Sequence, residues 1–233
     1  MICTHISTNL EQIRSVIRET AVGCGRNPEE VKLVAVSKRM PVEMIAEAHQ
    51  CEQIHFGENY LQDAEAKINL LPPSLRWHFI GHLQSNKAKM AAELFQMIET
   101  IDRLKIARSL NHHAGILQKK LDVLVQVNVG RELQKSGVPP EDAGDLLQAM
   151  QPLKNLRVRG LMTMPPYGRE AEASRPWFQA LKKLSIKLAG ENCFYNNKAV
   201  ELSMGMSGDF NVAIEEGATL IRVGTAIFGE RPL

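Results

Sequence analysis

A lysine closes the first strongly apolar run of the chain, Val31-Lys32-Leu33-Val34-Ala35-Val36-Ser37-Lys38. A run of this kind reads as a strand buried on both faces, as in a parallel sheet. In an α/β barrel, a lysine at the C-terminal end of such a strand points into the barrel mouth. Partial desolvation there lowers its pKa and favours the free amine, which forms a Schiff base with a carbonyl. By position alone, a solvated lysine at a loop start is the commoner reading. The end of the chain changes that balance. Leu220-Ile221-Arg222-Val223-Gly224-Thr225 puts an arginine inside an apolar strand, and a charge that cannot be neutralised is costly there unless it meets an acceptor. Gly224 lets a ligand approach the backbone closely, and Thr225 adds a hydroxyl. In Ser203-Met204-Gly205-Met206-Ser207-Gly208-Asp209, Ser207 lies at the start of a helix. Helix N-termini attract phosphate, and barrels often place a phosphate site after strands seven and eight. Taken singly, the glycines are ordinary turn residues. Together with Lys38 and Arg222, the two loops favour a phosphorylated carbonyl ligand.

Other candidates carry less. Phe56-Gly57-Glu58-Asn59-Tyr60 ends the second strand, and Asn59 is placed equally well to donate to a ring hydroxyl of the ligand or to cap the next helix. His78 and His82 are four apart at the end of the third strand. On a strand that spacing does not aim both rings at one metal, and no carboxylate partner is evident, so no metal is expected. His112-His113 reads as helix surface, and Met162 and Met164 as core or rim packing.

The elements that must position these groups alternate between two periods. An opening helix covers residues 9–22, with Leu10, Ile13, Val16 and Ile17 at helical spacing and Thr8 or Asn9 as its cap. Strands are expected at 31–37, 53–57, 76–81, 97–101, 121–129, 156–163, 199–203 and 219–223. Helices are expected at 41–50, 59–70, 85–95, 103–117, 140–150, 171–189 and 209–216. Pro41 opens the first of these in its first turn, and Asp102 caps the one at 103–117. A Met164-Pro165-Pro166-Tyr167-Gly168 loop follows the sixth strand. This order fits a single-domain (β/α)8 TIM barrel over residues 1–233 with an extra N-terminal helix. A doubly wound open sheet is the rival, weakened because no GxGxxG follows the first strand.

Composition narrows the function classes. The 233 residues are 44% hydrophobic and 23% charged, with a net charge of +2. No basic tail or long like-charge run offers a footprint for nucleic acid or a membrane surface. Cys3, Cys24, Cys51 and Cys193 form no CxxC pair. Free thiols in a reducing, cytoplasmic compartment are therefore expected. Residues 1–10 lack the features of a secretory signal, and no apolar run reaches membrane-spanning length.

In six segments the sequence resembles the pyridoxal phosphate homeostasis protein family, relatives of the N-terminal barrel of alanine racemase. These are Ala35-Val36-Ser37-Lys38, Phe56-Gly57-Glu58-Asn59-Tyr60, Trp77-His78-Phe79-Ile80-Gly81-His82-Leu83-Gln84-Ser85-Asn86-Lys87, Gly160-Leu161-Met162-Thr163, Ser203-Met204-Gly205-Met206-Ser207 and Arg222-Val223-Gly224-Thr225-Ala226-Ile227-Phe228-Gly229. The resemblance runs from Asn9 to Gly229 and implies a fold-type III barrel that binds pyridoxal 5′-phosphate (PLP). Lys38 matches the family's Schiff-base lysine, and Arg222 the arginine facing the pyridine nitrogen. Ser207, Gly224 and Thr225 match the phosphate-binding positions. Arg39-Met40 departs from the threonine and lysine that many members carry, so no role is built on a second basic residue there, while the Schiff-base lysine is unaffected.

PLP chemistry uses the ring as an electron sink, usually with a protonated pyridine nitrogen. Arginine cannot accept a proton, so facing that nitrogen it keeps the sink weak. Racemases of this type compensate with a tyrosine from a C-terminal domain of the partner subunit. That domain is not expected here, since the chain stops after the eighth strand, and none of Tyr60, Tyr167 and Tyr195 takes the role. The expected protein is therefore a monomer that holds PLP as an aldimine on Lys38 without efficient turnover. It would serve vitamin B6 and amino-acid balance, with PLP-dependent apo-enzymes as recipients. An amino-acid racemase or related PLP enzyme is the alternative. A Schiff-base aldolase acting on sugar phosphates keeps Lys38 but leaves Arg222 without a purpose.

Overall fold

The computed structural model describes residues 5–166 and 170–230; Cys3, Tyr167 and Gly168 lie outside them. Its strands are β1 (Lys32–Val36), β2 (His55–Glu58), β3 (Arg76–Phe79), β4 (Met97–Ile101), β5 (Leu121–Gln126), β6 (Leu156–Met162), β7 (Glu201–Ser203) and β8 (Leu220–Val223). They form a closed barrel in chain order, with β8 pairing in parallel back onto β1. The helices are α1 (His5–Gly23), α2 (Val42–Gln50), α3 (Leu61–Ile68), α4 (Ala88–Leu94), α5 (Leu104–Ile116), α6 (Ala143–Met150), α7 (Arg175–Gly190), α8 (Phe210–Glu215) and α9 (Thr225–Phe228). The (β/α)8 architecture with an added N-terminal helix is as the alternating periods require, and the open-sheet rival falls with closure.

Strand alternation sorts side chains into two cores. On β8, Ile221 and Val223 belong to the large outer cluster under the helices. Leu220 belongs to a small cluster with Val34, Met97, Leu124 and Met162, which fills the barrel interior. Arg222 is two residues from Leu220 and shares its inward face, opposite Val34 of β1. Gly160 on β6 is required by this closure. A Cβ there would lie 1.9 Å from the carbonyl oxygen of Glu201 on β7, so the β6–β7 seam closes only around a glycine.

Several local expectations are corrected. Helix α1 begins at His5, so neither Thr8 nor Asn9 caps it. The Asn9 amide instead donates to the carbonyl of Ile227 at 2.9 Å, tying α1 to α9, a helix the sequence pattern did not suggest. Pro41 is the N-cap of α2, in extended conformation, rather than part of its first turn. Asp102 does not cap α5: Arg103 is the N-cap, and the Asp102 carboxylate accepts from its guanidinium at 2.7 Å. Asn59 does not cap α3, whose N-cap is Tyr60 with no side-chain bond. The strand at 53–57 shifts to β2 because Gln53 is used otherwise, its buried amide donating to the carbonyls of Leu33 and His55. The expected helices at 85–95, 140–150 and 171–189 each open with a short 3-10 turn before the α-helix starts. No helix among the described residues is long and apolar enough to cross a membrane.

Candidate functional site

The turn after β1 carries Lys38, and its geometry is set by groups around it. The amide of Met40 donates to the carbonyl of Ser37 at 2.9 Å, closing the turn, and Arg39 takes the left-handed conformation within it (φ 61°). Lys67 on α3, buried, donates to the Ser37 carbonyl at 2.9 Å and to Glu58 at 2.8 Å. It also reaches Asp63 at 2.7 Å. The Ser37 hydroxyl donates to the same Glu58 oxygen at 2.7 Å. Burial pushes the Glu58 carboxyl up, against the pull of Lys67 and Ser37. This cluster anchors the backbone on which Lys38 stands. The Arg39-Met40 departure is absorbed locally: Arg39 lies 5.8 Å over the Tyr60 ring, and Met40 is core.

Lys38 lines a cavity of about 540 Å³ at the C-terminal ends of the strands, together with Asn59, Ser207, Arg222, Gly224 and Thr225. All six residues singled out from the sequence therefore meet at one place. Its volume falls in the range of small-molecule sites, and its position is where barrels of this class carry function. A second cavity, of about 370 Å³, is lined by Arg14, Arg18, Lys32 and His55 at the opposite end, away from the strand ends that carry chemistry in barrels.

Each wall has a physical basis. The loop before α8 is held by Asp209, whose carboxylate accepts from the Met206 amide at 2.7 Å and the Ser174 hydroxyl at 2.8 Å. Ser207 sits in this turn, three residues ahead of α8 rather than at its start. Nothing lies within 4 Å of where a Cβ at Gly208 would be, so this wall is open to an incoming group. At Gly224 a Cβ would sit 3.3 Å from Val36; the glycine lets the end of β8 close against β1. The Asn59 Oδ1 atom is buried and has no hydrogen-bond partner. Such an orphaned acceptor is costly unless a bound group meets it. Rotating the amide would offer its NH₂ donor instead. These features suit a phosphorylated aromatic aldehyde of PLP type. It needs a lysine amine, a polar ring contact and an anion-accepting turn.

Arg222 forms the floor. It is 3% exposed, and its guanidinium donates to the Ser203 hydroxyl at 2.6 Å and the Thr163 carbonyl at 2.8 Å. Behind it lies a chain of polar groups that sequence reasoning missed. The Ser203 hydroxyl donates to Glu99 at 2.5 Å. The other Glu99 oxygen lies 2.7 Å from His78 Nδ1, and His78 Nε2 lies 3.0 Å from His55 Nδ1. The signal for Glu99 was available, since it is an acid inside the apolar run Met97-Ile98-Glu99-Thr100-Ile101, as Arg222 is a base inside another. It is also the carboxylate partner that His78 was not expected to have. Among the described residues no cluster suited to a metal ion occurs.

Burial lowers His55 from 6.5 to about 4, helped by His78, Lys32 and Arg76. The unfolded chain therefore takes up this proton at a higher pH than the folded one, and stability falls as pH drops from about 6.5 toward 4. Thermal melts across that window are expected to show the loss in wild type and a smaller one in His55→Asn, which has no group titrating there. Parallel curves for the two proteins would contradict it.

Three comparisons bear on this geometry. The family model for the alanine racemase N-terminal domain matches residues 5–232. A pyridoxal phosphate homeostasis protein of Vibrio alginolyticus is 44% identical over 233 residues, covering 98% of each chain. The structure of PipY from Synechococcus elongatus without PLP superposes with a TM-score of 0.86 at 37% identity, covering 96% of this chain and 100% of that one. PipY with PLP bound superposes with a TM-score of 0.84 at 36% identity, with the same coverage.

Proposed function

This chain belongs to the alanine racemase N-terminal domain family, among its pyridoxal phosphate homeostasis proteins, and from that premise we propose that it binds PLP and acts in PLP homeostasis. The observation that carries the reading is the meeting of Lys38 and Arg222 on one cavity beside the orphaned Asn59 amide. Lys38 holds the cofactor by a Schiff base, Arg222 faces the pyridine nitrogen, Asn59 meets the ring hydroxyl, and Ser207, Gly224 and Thr225 take the phosphate. When bound, PLP supplies an aldehyde that condenses with amines and a ring that draws off electrons.

The residues favour retention over turnover. Arg222 has only donors, so it holds the ring nitrogen unprotonated. That limits the electron withdrawal on which racemisation depends. The protein is a cytoplasmic monomer in this reading, covers residues 1–233 as one domain, and passes PLP to apo-enzymes that need it.

The test is spectroscopic. Purified protein incubated with PLP should gain a visible absorbance band, and borohydride should fix a pyridoxyl group on the peptide carrying Lys38. A label on another lysine would refute the site, and a colourless protein the function. Rapid deuterium exchange at the α-carbon of alanine or serine would return the racemase reading. Light scattering after size exclusion checks the monomer, and transfer of the label-free cofactor to an apo-transaminase checks delivery.

A further inference from the structure

Arg222 is the group that meets the cofactor ring in the reading above, and its own charge has a buried counterpart. Glu99 lies on the inward face of β4 and is fully buried. The Ser203 hydroxyl bridges the two charges, accepting from Arg222 Nη1 at 2.6 Å and donating to Glu99 Oε2 at 2.5 Å. His78 Nδ1 lies within hydrogen-bond distance of Glu99 Oε1, at 2.7 Å. The other ring nitrogen of His78, Nε2, lies 3.0 Å from His55 Nδ1. The line of groups runs from the cavity floor through the barrel interior to His55 at the start of β2.

We propose that Glu99 is a positioning residue for the bound cofactor: through Ser203 it orients the Arg222 guanidinium, and its negative charge offsets the positive field of Arg222 at the PLP ring. The inference rests on PLP occupying the cavity. It goes beyond that occupancy by assigning the electronic setting of the ring to a carboxylate that does not line the cavity.

The charges that bear on this line are few. Arg222 is approached by Glu99 and by Asp209 from the turn before α8. Glu99 faces His78 on β3 and Arg222 on β8. His55 faces Lys32 on β1, Arg76 and His78 on β3, and Glu99. Burial alone would push Glu99 up, but His78, Arg222 and Ser203 together hold it below the usual carboxylate range. It is therefore an ionised counter-charge at neutral pH.

A buried unit charge acts on a nearby titration by of order one pH unit through an effective dielectric of about 20. Removing the negative charge makes a proton on the Lys38 linkage less favourable. In Glu99→Gln, the pH at which the visible band of bound PLP gives way to its shorter-wavelength form should fall by about one unit. Glu99→Asp, which keeps the charge, should titrate close to wild type. A purely structural role would lower the melting temperature in both variants and leave the midpoints together, and that result would overturn the proposal. Should Glu99→Gln not fold, carbon-13 NMR of the wild-type carboxylate with PLP bound decides. Glu99 should stay ionised from pH 8 to pH 5, and protonation inside that window would overturn it equally. If wild type takes up no PLP, the functional reading itself fails; if it does and Glu99→Gln titrates like it, only this inference fails.

Discussion

Lys38→Ala is expected to abolish both the visible band and borohydride labelling while leaving the fold unchanged. The reason lies in how the turn is built. Its backbone is held by the Ser37 carbonyl on Lys67, the Ser37 hydroxyl on Glu58, the Arg39 amide on Asp63 and the Met40 amide on Ser37. None of these bonds uses the Lys38 side chain. Half-buried at the cavity mouth, that side chain is removed without opening the core, so the variant should stay folded with a loss no larger than the usual single-substitution cost of about 1 kcal/mol. The effect on the ligand is much larger. A ligand that binds only the native state adds about 2.7 kcal/mol of stability at a hundredfold excess over Kd, and Lys38→Ala should lose most of that gain. Thermal melts with and without PLP read both quantities at once. A PLP-induced shift of wild-type size in Lys38→Ala would place the attachment elsewhere.

How much of this could be read from the chain follows from what each residue's signal depends on. The strands were legible because parallel strands buried on both faces are mostly apolar, and β4 was recovered at its stated bounds, Met97–Ile101, even with Glu99 and Thr100 inside it. Lys38 and Arg222 were legible for one reason, a cation set against an apolar strand. Helix starts were less so, because capping competes with other bonds: Asn9 is taken by the distant Ile227 and Asp102 by its neighbour Arg103. Lys67 gave no signal at all. A lysine on an amphipathic helix is normally solvated, and only the folded chain brings Ser37, Glu58 and Asp63 to its amine. His78 was judged for a metal on its spacing to His82, whereas its partners come from neighbouring strands. Contacts across a barrel depend on register, which no local pattern encodes.

The largest loss of stability should follow from removing the charge of Arg222. Its guanidinium and the Glu99 carboxylate are both buried and meet through Ser203. Removing one partner of such a pair leaves the other charge uncompensated, which costs about 3–5 kcal/mol. Arg222→Met keeps comparable bulk and strands Glu99 inside the barrel. Burial then drives the carboxylate to take up a proton, with His78 and the Ser203 hydroxyl as its remaining partners. Adding Glu99→Gln removes the stranded charge while keeping an acceptor for His78. The double variant should therefore be more stable than Arg222→Met alone, recovering more than half of the loss. That sign follows from pairing and from nothing local to either residue, because two independent defects would add. Urea unfolding of the four proteins measures it. Additive losses would mean that Arg222 and Glu99 are held separately, and that the line of groups behind the cavity floor is two structural contacts rather than one charge-balanced unit.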